Sequence, residues 1–281
     1  RFDLLAADEI KQNYWTLVPN LYLSRDWIQN STLSFSYAKR IRRPPFVLLN
    51  NNVRKINDFR FELGNPDLRP ELIHRFEWAW NIKKHQLATY YHLTDEAING
   101  IYFLEGEVAF YKKFNEGKQT QRGLSYNYSG NLLDWWFTRI SLDVYHRKYT
   151  NEAGEDSFQQ ASARINLYQN LKLNATTNFD IACYYLSPTA DAFYVAAERY
   201  GLDLILQKFF FNKKLNCRVY FNDVFNSVVF ANERQFPTFR TTASYQPRTR
   251  RLTFWMTYTF SNQQKVKRRK NRSDGEARGR L

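Results

Sequence analysis

Residues 251–261, RLTFWMTYTFS, alternate along their whole length. Leu252, Phe254, Met256, Tyr258 and Phe260 fall on one face of an extended strand, and Thr253, Trp255, Thr257 and Thr259 on the other, because successive strand side chains point to opposite sides. A strand of a soluble sandwich reads this way. So does a strand of a membrane barrel, with apolar side chains toward lipid and small polar ones toward a lumen. A basic stretch with no further strand pattern follows, so the rest of the chain has to decide between the two.

Moving outward, the same alternation recurs and no segment of useful length shows helical periodicity. Leu33, Phe35 and Tyr37 alternate with Ser34, Ser36 and Ala38, and Phe76, Trp78 and Trp80 with Glu77, Ala79 and Asn81. Leu87, Thr89, Tyr91 and Leu93, then Leu124, Tyr126 and Tyr128, make further apolar-leaning faces. Ile140, Leu142 and Val144 oppose Arg139 and Asp143; Ala163, Ile165 and Leu167 oppose Arg164; Phe179, Ile181 and Cys183 oppose Asp180. Leu202, Leu204 and Leu206 oppose Asp203, and Leu215, Cys217, Val219 and Phe221 oppose Arg218. The residues Arg75, Glu77, Arg139, Asp143, Arg164, Asp180, Asp203 and Arg218 therefore share polar-face parity, which suits a wet or plugged lumen better than the dry interior of a small barrel.

Connection lengths give an orientation. Short polar links at residues 25–30, 83–86, 130–134, 170–173 and 207–214 alternate with long or polar-tipped ones at 43–68, 105–108, 150–157, 187–191 and 231–237. Outer-membrane barrels have short periplasmic turns and long external loops. With the short links inside, eleven antiparallel strands run from near Tyr14 to Phe260, and both the first and the last run inward. Residues 85–104 and 109–129 read as strands far longer than the 9–11 residues that cross lipid, so they are expected to project outward. Trp78, Trp80, Trp135 and Trp136 are placed near strand ends or turns, where an interfacial aromatic girdle belongs.

Composition agrees with an all-β chain. Aromatics make up 17% of the 281 residues, and the mean hydropathy of -0.62 with no long apolar run excludes transmembrane helices but not barrel strands. The net charge of +14 is concentrated late: residues 263–281 hold eight basic side chains and two acids, +6 of the total. Such a run reads as a solvated tail, and residues 262–281 are expected to be a basic periplasmic tail following a barrel portion at 1–261. Cys183 and Cys217 form no metal or redox motif; with one whole strand between them they lie beyond disulfide reach. His74, His85, His92 and His146 have no common ligand spacing, and no cofactor or metal is expected. The opening Arg1-Phe2-Asp3-Leu4 reads as mid-protein sequence, and further chain is expected upstream.

One stretch carries more than periodicity. Residues 36–71, SYAKRIRRPPFVLLNNNVRKINDFRFELGNPDLRPE, are a strand ending in basic residues, a Pro-Pro break, an irregular loop and a Gly-Asn-Pro turn into a new strand. They resemble the C-terminal barrel segment of TonB-dependent receptors, in the outer membrane protein beta-barrel family, where Arg-x-x-Arg-Pro is followed by Leu-Asn and then Gly-Asn-Pro-x-Leu-x-Pro-Glu. The matching residues are Arg40, Arg43, Pro44, Leu49, Asn50, Gly64, Asn65, Pro66, Leu68, Pro70 and Glu71. Asn222-Asp223-Val224-Phe225-Asn226, the closing Tyr258-Thr259-Phe260 and the basic tail extend the similarity in the right order.

The resemblance implies a transmembrane antiparallel β-barrel, with this chain as the C-terminal half of a 22-stranded wall in the cell outer membrane. Its partners would be outer-membrane lipid, the N-terminal half of the barrel and its plug, and the TonB system reached through that plug; the complete protein would import a bulky nutrient. The family supplies no catalytic residues, and no Ser/His/Asp constellation, carboxylate pair or phosphate loop in the sequence supports an enzyme. The Arg40–Arg43 cluster has two readings: binding an anionic group, or capping the strand and pairing with nearby acids. A surface binding or adhesion barrel without energised import is a second reading of the whole. A soluble basic β-protein holding nucleic acid or polysaccharide is a third, and it fits poorly because the basic residues outside the tail sit at turns and beside acids.

Overall fold

The computed structural model describes residues 15–28, 30–152, 156–191, 194–235 and 240–260. Tyr14 and the tail at 262–281 lie outside the described residues. In chain order come β1 (Asn20–Ile28), β2 (Ser31–Arg42), the four-residue helix α1 (Phe46–Leu49), β3 (Val53–Asn57), β4 (Arg60–Leu63), β5 (Glu71–Ile82) and β6 (His85–Asp95). Next are β7 (Ile98–Glu105), β8 (Val108–Asn115), β9 (Lys118–Leu133), β10 (Trp136–Thr150), β11 (Asp156–Asn174) and β12 (Thr177–Leu186). The last are β13 (Thr189–Asp191), β14 (Tyr194–Ala196), β15 (Arg199–Phe210), β16 (Leu215–Asn222), β17 (Phe230–Gln235), β18 (Arg240–Tyr245) and β19 (Arg251–Tyr258).

Eleven strands form one continuous sheet in the order β1-β2-β5-β6-β9-β10-β11-β12-β15-β16-β19. All neighbours in it are antiparallel. The expected strand count is therefore met, although β19 ends at Tyr258 and Phe260 lies just past it. Two four-stranded sheets, β3-β4-β8-β7 and β13-β14-β17-β18, are built entirely from the long connections.

Register is what makes the wall. Leu33 pairs with Trp80, Trp80 with Leu87, Leu87 with Tyr126 and Tyr126 with Leu142. The row one step outward runs Phe35, Trp78, Thr89, Leu124, Val144. Further along, Leu167 pairs with Cys183, Cys183 with Leu202, Leu206 with Val219 and Val219 with Phe254. A slip of one residue would put a whole strand's apolar set on the wrong side; no pairing in this sheet does so. Neighbouring rings meet along the rows: Phe35 and Trp78 at 5.0 Å between centroids, Tyr37 and Phe76 at 4.7 Å. Such cross-strand aromatic pairs contribute about 0.5–1.5 kcal/mol each beyond their area.

The polar interruption of the apolar face satisfies itself. Thr138 and Gln169 lie opposite each other on that face and are almost fully buried. Gln169 donates to the Thr138 hydroxyl at 2.5 Å and accepts from the Trp136 indole. No naked amide is left in an apolar setting, where it would cost several kcal/mol, roughly 2–7 by the reference state chosen.

Several sequence expectations need correction. The short links are shorter than they read: β1 runs to Ile28, β9 to Leu133, β11 to Asn174 and β15 to Phe210. Trp78 stands four residues before the end of β5 rather than near it, whereas Trp80, Trp135 and Trp136 do flank turns. Residues 85–104 and 109–129 are not single projecting strands. Each breaks, at Glu96 with φ 55° and at Gly117 with φ 69°, and the two breaks face each other: Ala97 donates to the Gly117 carbonyl at 3.3 Å and Glu116 to the Ala97 carbonyl at 2.9 Å. Beyond that paired kink, β7 and β8 leave the wall. They join β3 and β4 from the supposedly irregular 43–68 loop, with β4 parallel to β8, so antiparallel order holds for the wall but not for this outer sheet.

Candidate functional site

Three regions hold the candidate functional residues: the polar face of the wall, the anchors where its long connections begin, and the outer sheets. On the polar face, register places Arg75, Glu77, Asp143, Arg164, Asp180, Asp203 and Arg218 on one side with Arg139, as their parity requires. The structure groups them unequally. Asp143 accepts from Tyr90 at 2.8 Å; Gln121 donates to the same hydroxyl at 3.2 Å and accepts from Arg147 at 3.0 Å. Asp180 accepts from Asn170, and the Gln207 amide oxygen accepts from Arg218 Nε and Nη2 at 3.1 Å each. Asp203 reaches the outer end, accepting from the Asp223 backbone at 2.7 Å. Among the described residues the side chains of Arg75, Glu77, Arg139 and Arg164 make no hydrogen bond or ion pair, Arg139 only reaching over the Phe137 ring at 6.0 Å. Four chargeable side chains thus stand on this face ready for another partner.

The Gly-Asn-Pro motif is the first anchor. Asn65 donates from its backbone to the Leu48 carbonyl at 2.6 Å and from its side chain to the Lys113 carbonyl at 2.7 Å, which ties α1 to β8. Gly64 lies so close beneath Asn50 that a Cβ there would sit 1.6 Å from the Asn50 carbonyl oxygen; only glycine fits. Leu68 is completely buried and Glu71 is 2% exposed. Glu71 accepts from Arg42 Nε and, at 2.8 Å, from the Ile98 amide. Asn115 closes the knot, donating to the Arg69 and Glu96 carbonyls at 2.8 and 2.9 Å and accepting from the Arg69 amide at 2.6 Å. In the basic cluster Arg42, the last residue of β2, pairs with Glu71; Arg40 is exposed two residues before it, and Arg43 and Pro44 lead into the loop.

Asp223, in the Asn-Asp-Val-Phe-Asn stretch, is the second anchor. It is 3% exposed with φ 46°, a left-handed conformation that Asp tolerates better than most residues. Its carboxylate accepts from the Ser227 amide at 2.9 Å, the Val228 amide at 3.3 Å and the Thr249 hydroxyl. Burial works to raise its pKa, but the hydrogen bonds from Thr249, Ser227 and Val228 outweigh it and leave the carboxyl below its ordinary value. The anchor fastens both ends of the β16–β19 connection, which carries β17 and β18.

The outer sheets hold residues that sequence reasoning missed. Arg60 lies 5.1 Å from the Tyr102 ring and Arg234 5.6 Å from the Tyr194 ring. Phe61, Phe110 and Phe103 stack in series at 5.6 Å spacings. Burial, then neighbouring Tyr102, pushes the Tyr111 hydroxyl up, while Arg234 from the other outer sheet is near enough to oppose the shift. No pattern in residues 98–115 or 230–245 announced these contacts, because they depend on where the long connections land. Among the described residues there is no group of His, Cys, Asp and Glu able to hold a metal ion, and Cys183 and Cys217 are free, on strands separated by β15.

A registered, twofold-patterned wall of eleven strands with elaborated connections on one end and tight turns on the other is the wall of an outer-membrane β-barrel. The chain belongs to the outer membrane protein beta-barrel family, whose model matches residues 4–260; its place is the cell outer membrane. Solved structures share the fold at low sequence identity. The siderophore receptor PirA of Pseudomonas aeruginosa aligns with a TM-score of 0.59 at 13% identity over 81% of this chain and 42% of its own. The ferripyoverdine receptor of the same organism, bound to ferripyoverdine, gives 0.55 at 13% over 86% and 32%. The ferric-catecholate import receptor Fiu of K12 E. coli gives 0.55 at 12% over 84% and 34%. The chain spans about two fifths or less of these receptors. No curated protein matches the sequence.

Proposed function

We propose that this chain is the C-terminal half of the wall of a TonB-dependent receptor that imports a bulky nutrient across the outer membrane. The observation that carries the proposal is the register that keeps a mainly apolar face on one side of all eleven wall strands and a mainly polar one on the other. Along one strand the apolar face holds four alternate residues, Leu215, Cys217, Val219 and Phe221 on β16, or about 20 Å at about 3.3 Å per residue. That is close to the apolar band, about 25 Å tall, of outer-membrane barrels. In this reading Leu252, Phe254, Met256 and Tyr258 face lipid with Phe260 at the periplasmic interface. Arg75, Glu77, Arg139, Asp143, Arg164, Asp180, Asp203 and Arg218 face the lumen, where the unpartnered charges among them pack against the plug. The short turns lie in the periplasm, as do residues 262–281, and β19 pairs with the first strand of the complete barrel.

The two anchors hold the outer sheets rigidly over the external mouth, and their Arg-Tyr and Phe surfaces are the first contact for substrate. The solved neighbours named for ferripyoverdine and ferric catecholates make bulky iron complexes the first ligands to screen. The full-length receptor, solubilised from the outer membrane, is tested against the purified periplasmic domain of TonB. Saturable binding that is lost when the plug is deleted is expected. No binding, with the barrel folded and heat-modifiable, would sink the import reading in favour of a surface binding protein.

A further inference from the structure

The apolar face of the wall is not smooth. A groove of about 450 Å³ crosses β1, β2, β5, β6 and β9, within the range of about 300–1,000 Å³ that holds small ligands. Its floor is two adjacent register rows, with Leu33, Trp80 and Leu87 nearer the short turns and Phe35, Trp78 and Leu124 one step outward. One charged side chain lines it. Arg25 sits opposite Leu33 on the same row, and among the described residues it makes no hydrogen bond or ion pair.

An arginine on this face needs an explanation, because at the bilayer midplane it costs roughly 2–4 kcal/mol, falling to about 0–1 near the interface. Arg25 lies three residues before Ile28, the end of β1, about 10 Å along the strand. Its long stem can carry the guanidinium to the level of the turns. There it meets the headgroup layer, and a guanidinium binds phosphate through paired charge-assisted hydrogen bonds.

We propose that this groove is a binding site for one phospholipid of the periplasmic leaflet, with an acyl chain laid along Leu33, Trp80, Phe35 and Trp78 and its phosphate held by Arg25. The site rests on the outer-membrane placement of the wall and on the periplasmic position of its short turns. The indole of Trp80, near the end of β5, suits this position, since it combines an apolar body with a donor that tolerates the interface.

The test uses the intact receptor in detergent, observed by native mass spectrometry while palmitoyl-oleoyl phosphatidylglycerol is titrated. Heat-modifiable migration of every variant reports separately that the barrel has folded in the membrane. Wild type is expected to retain one lipid. Arg25→Gln and the groove-filling Leu87→Trp should each weaken retention at least tenfold, and Lys84→Gln, at the rim outside the groove, should leave it unchanged. Equal retention in wild type, Arg25→Gln and Lys84→Gln would overturn the site. So would glycerol 3-phosphate competing as well as the intact lipid, or lipopolysaccharide occupying the site in place of phospholipid.

Discussion

Glu71→Ala should uncouple the outer sheet from the wall without unfolding the wall. Glu71 is 2% exposed and accepts two hydrogen bonds, one from the Ile98 amide at the root of β7 and one from Arg42. The two contributions differ in weight. Arg42's side chain is 65% exposed, so it rehydrates and its share is that of a surface ion pair, about 0–1 kcal/mol. The Ile98 amide loses a bond to a charged acceptor, worth about 1.5–3 kcal/mol. The opening free energy of the β7–β8 hairpin should therefore fall by about 2–3 kcal/mol, or about 30- to 150-fold in exchange rate, by the factor of ten per 1.4 kcal/mol. Hydrogen exchange on the reconstituted full-length barrel measures this peptide by peptide. Residues 98–115 should lose protection while β9, β10 and β11 keep theirs. Unchanged protection at 98–115 would show that Glu71 is not the tie, and a loss spread across β9–β11 would show that the outer sheet and the wall are one cooperative unit.

Three further outcomes follow from the same geometry. Asp223 has a folded pKa below its unfolded value of about 3.9, so its contribution is present above the unfolded value and lost as pH falls through the folded one. Limited proteolysis of the β16–β19 connection should therefore stay slow down to about pH 4 and accelerate only below it, and Asp223→Ala should be fast at neutral pH; acceleration near pH 6 in the wild type would refute the assignment. Gly64→Ala should disturb the 43–68 connection, since its Cβ would overlap the Asn50 carbonyl, and proteolysis there should rise while barrel yield is kept; an unaltered digest would count against the close approach. Phe254→Asp puts a carboxylate beside Val219 on the apolar face and should lower membrane insertion by about 2 kcal/mol. Thr257→Asp, opposite Asn216, should change it by less than about 0.5 kcal/mol, and equal yields for the two would overturn the assigned faces.

Much of the wall was legible because the property that defines it is local. Alternation with period two survives in single strands such as 215–221 and 252–258, and register then had one solution that kept Cys217 beside Met256 and Val219 beside Phe254. Turn bounds were less legible, since Lys172 and Leu173 look like a link and yet continue β11 to Asn174. Gly117 was a visible signal for a kink, but Glu96 was not: a glutamate rarely adopts φ 55°, and nothing local announces it. The anchor residues were found only through the family pattern, which marked Asn65 and Glu71 without saying what they touch. Asn115, which joins Arg69 to Glu96, lies 46 residues from the first of these partners and was out of reach of any motif. The outer Arg-Tyr contacts were invisible for the same reason, being made between connections rather than within strands.

The central claim is that one continuous face of the eleven strands meets lipid and the other the lumen. Nitroxide labels at Val144, Asp143, Val219 and Arg218 of the full-length barrel in liposomes test it directly, by comparing collisions with oxygen and with a water-soluble nickel chelate. The account predicts oxygen-dominated accessibility at 144 and 219, and at 143 and 218 either nickel-dominated accessibility or protection from both reagents by the plug. Oxygen-dominated accessibility at 143 and 218 would contradict it.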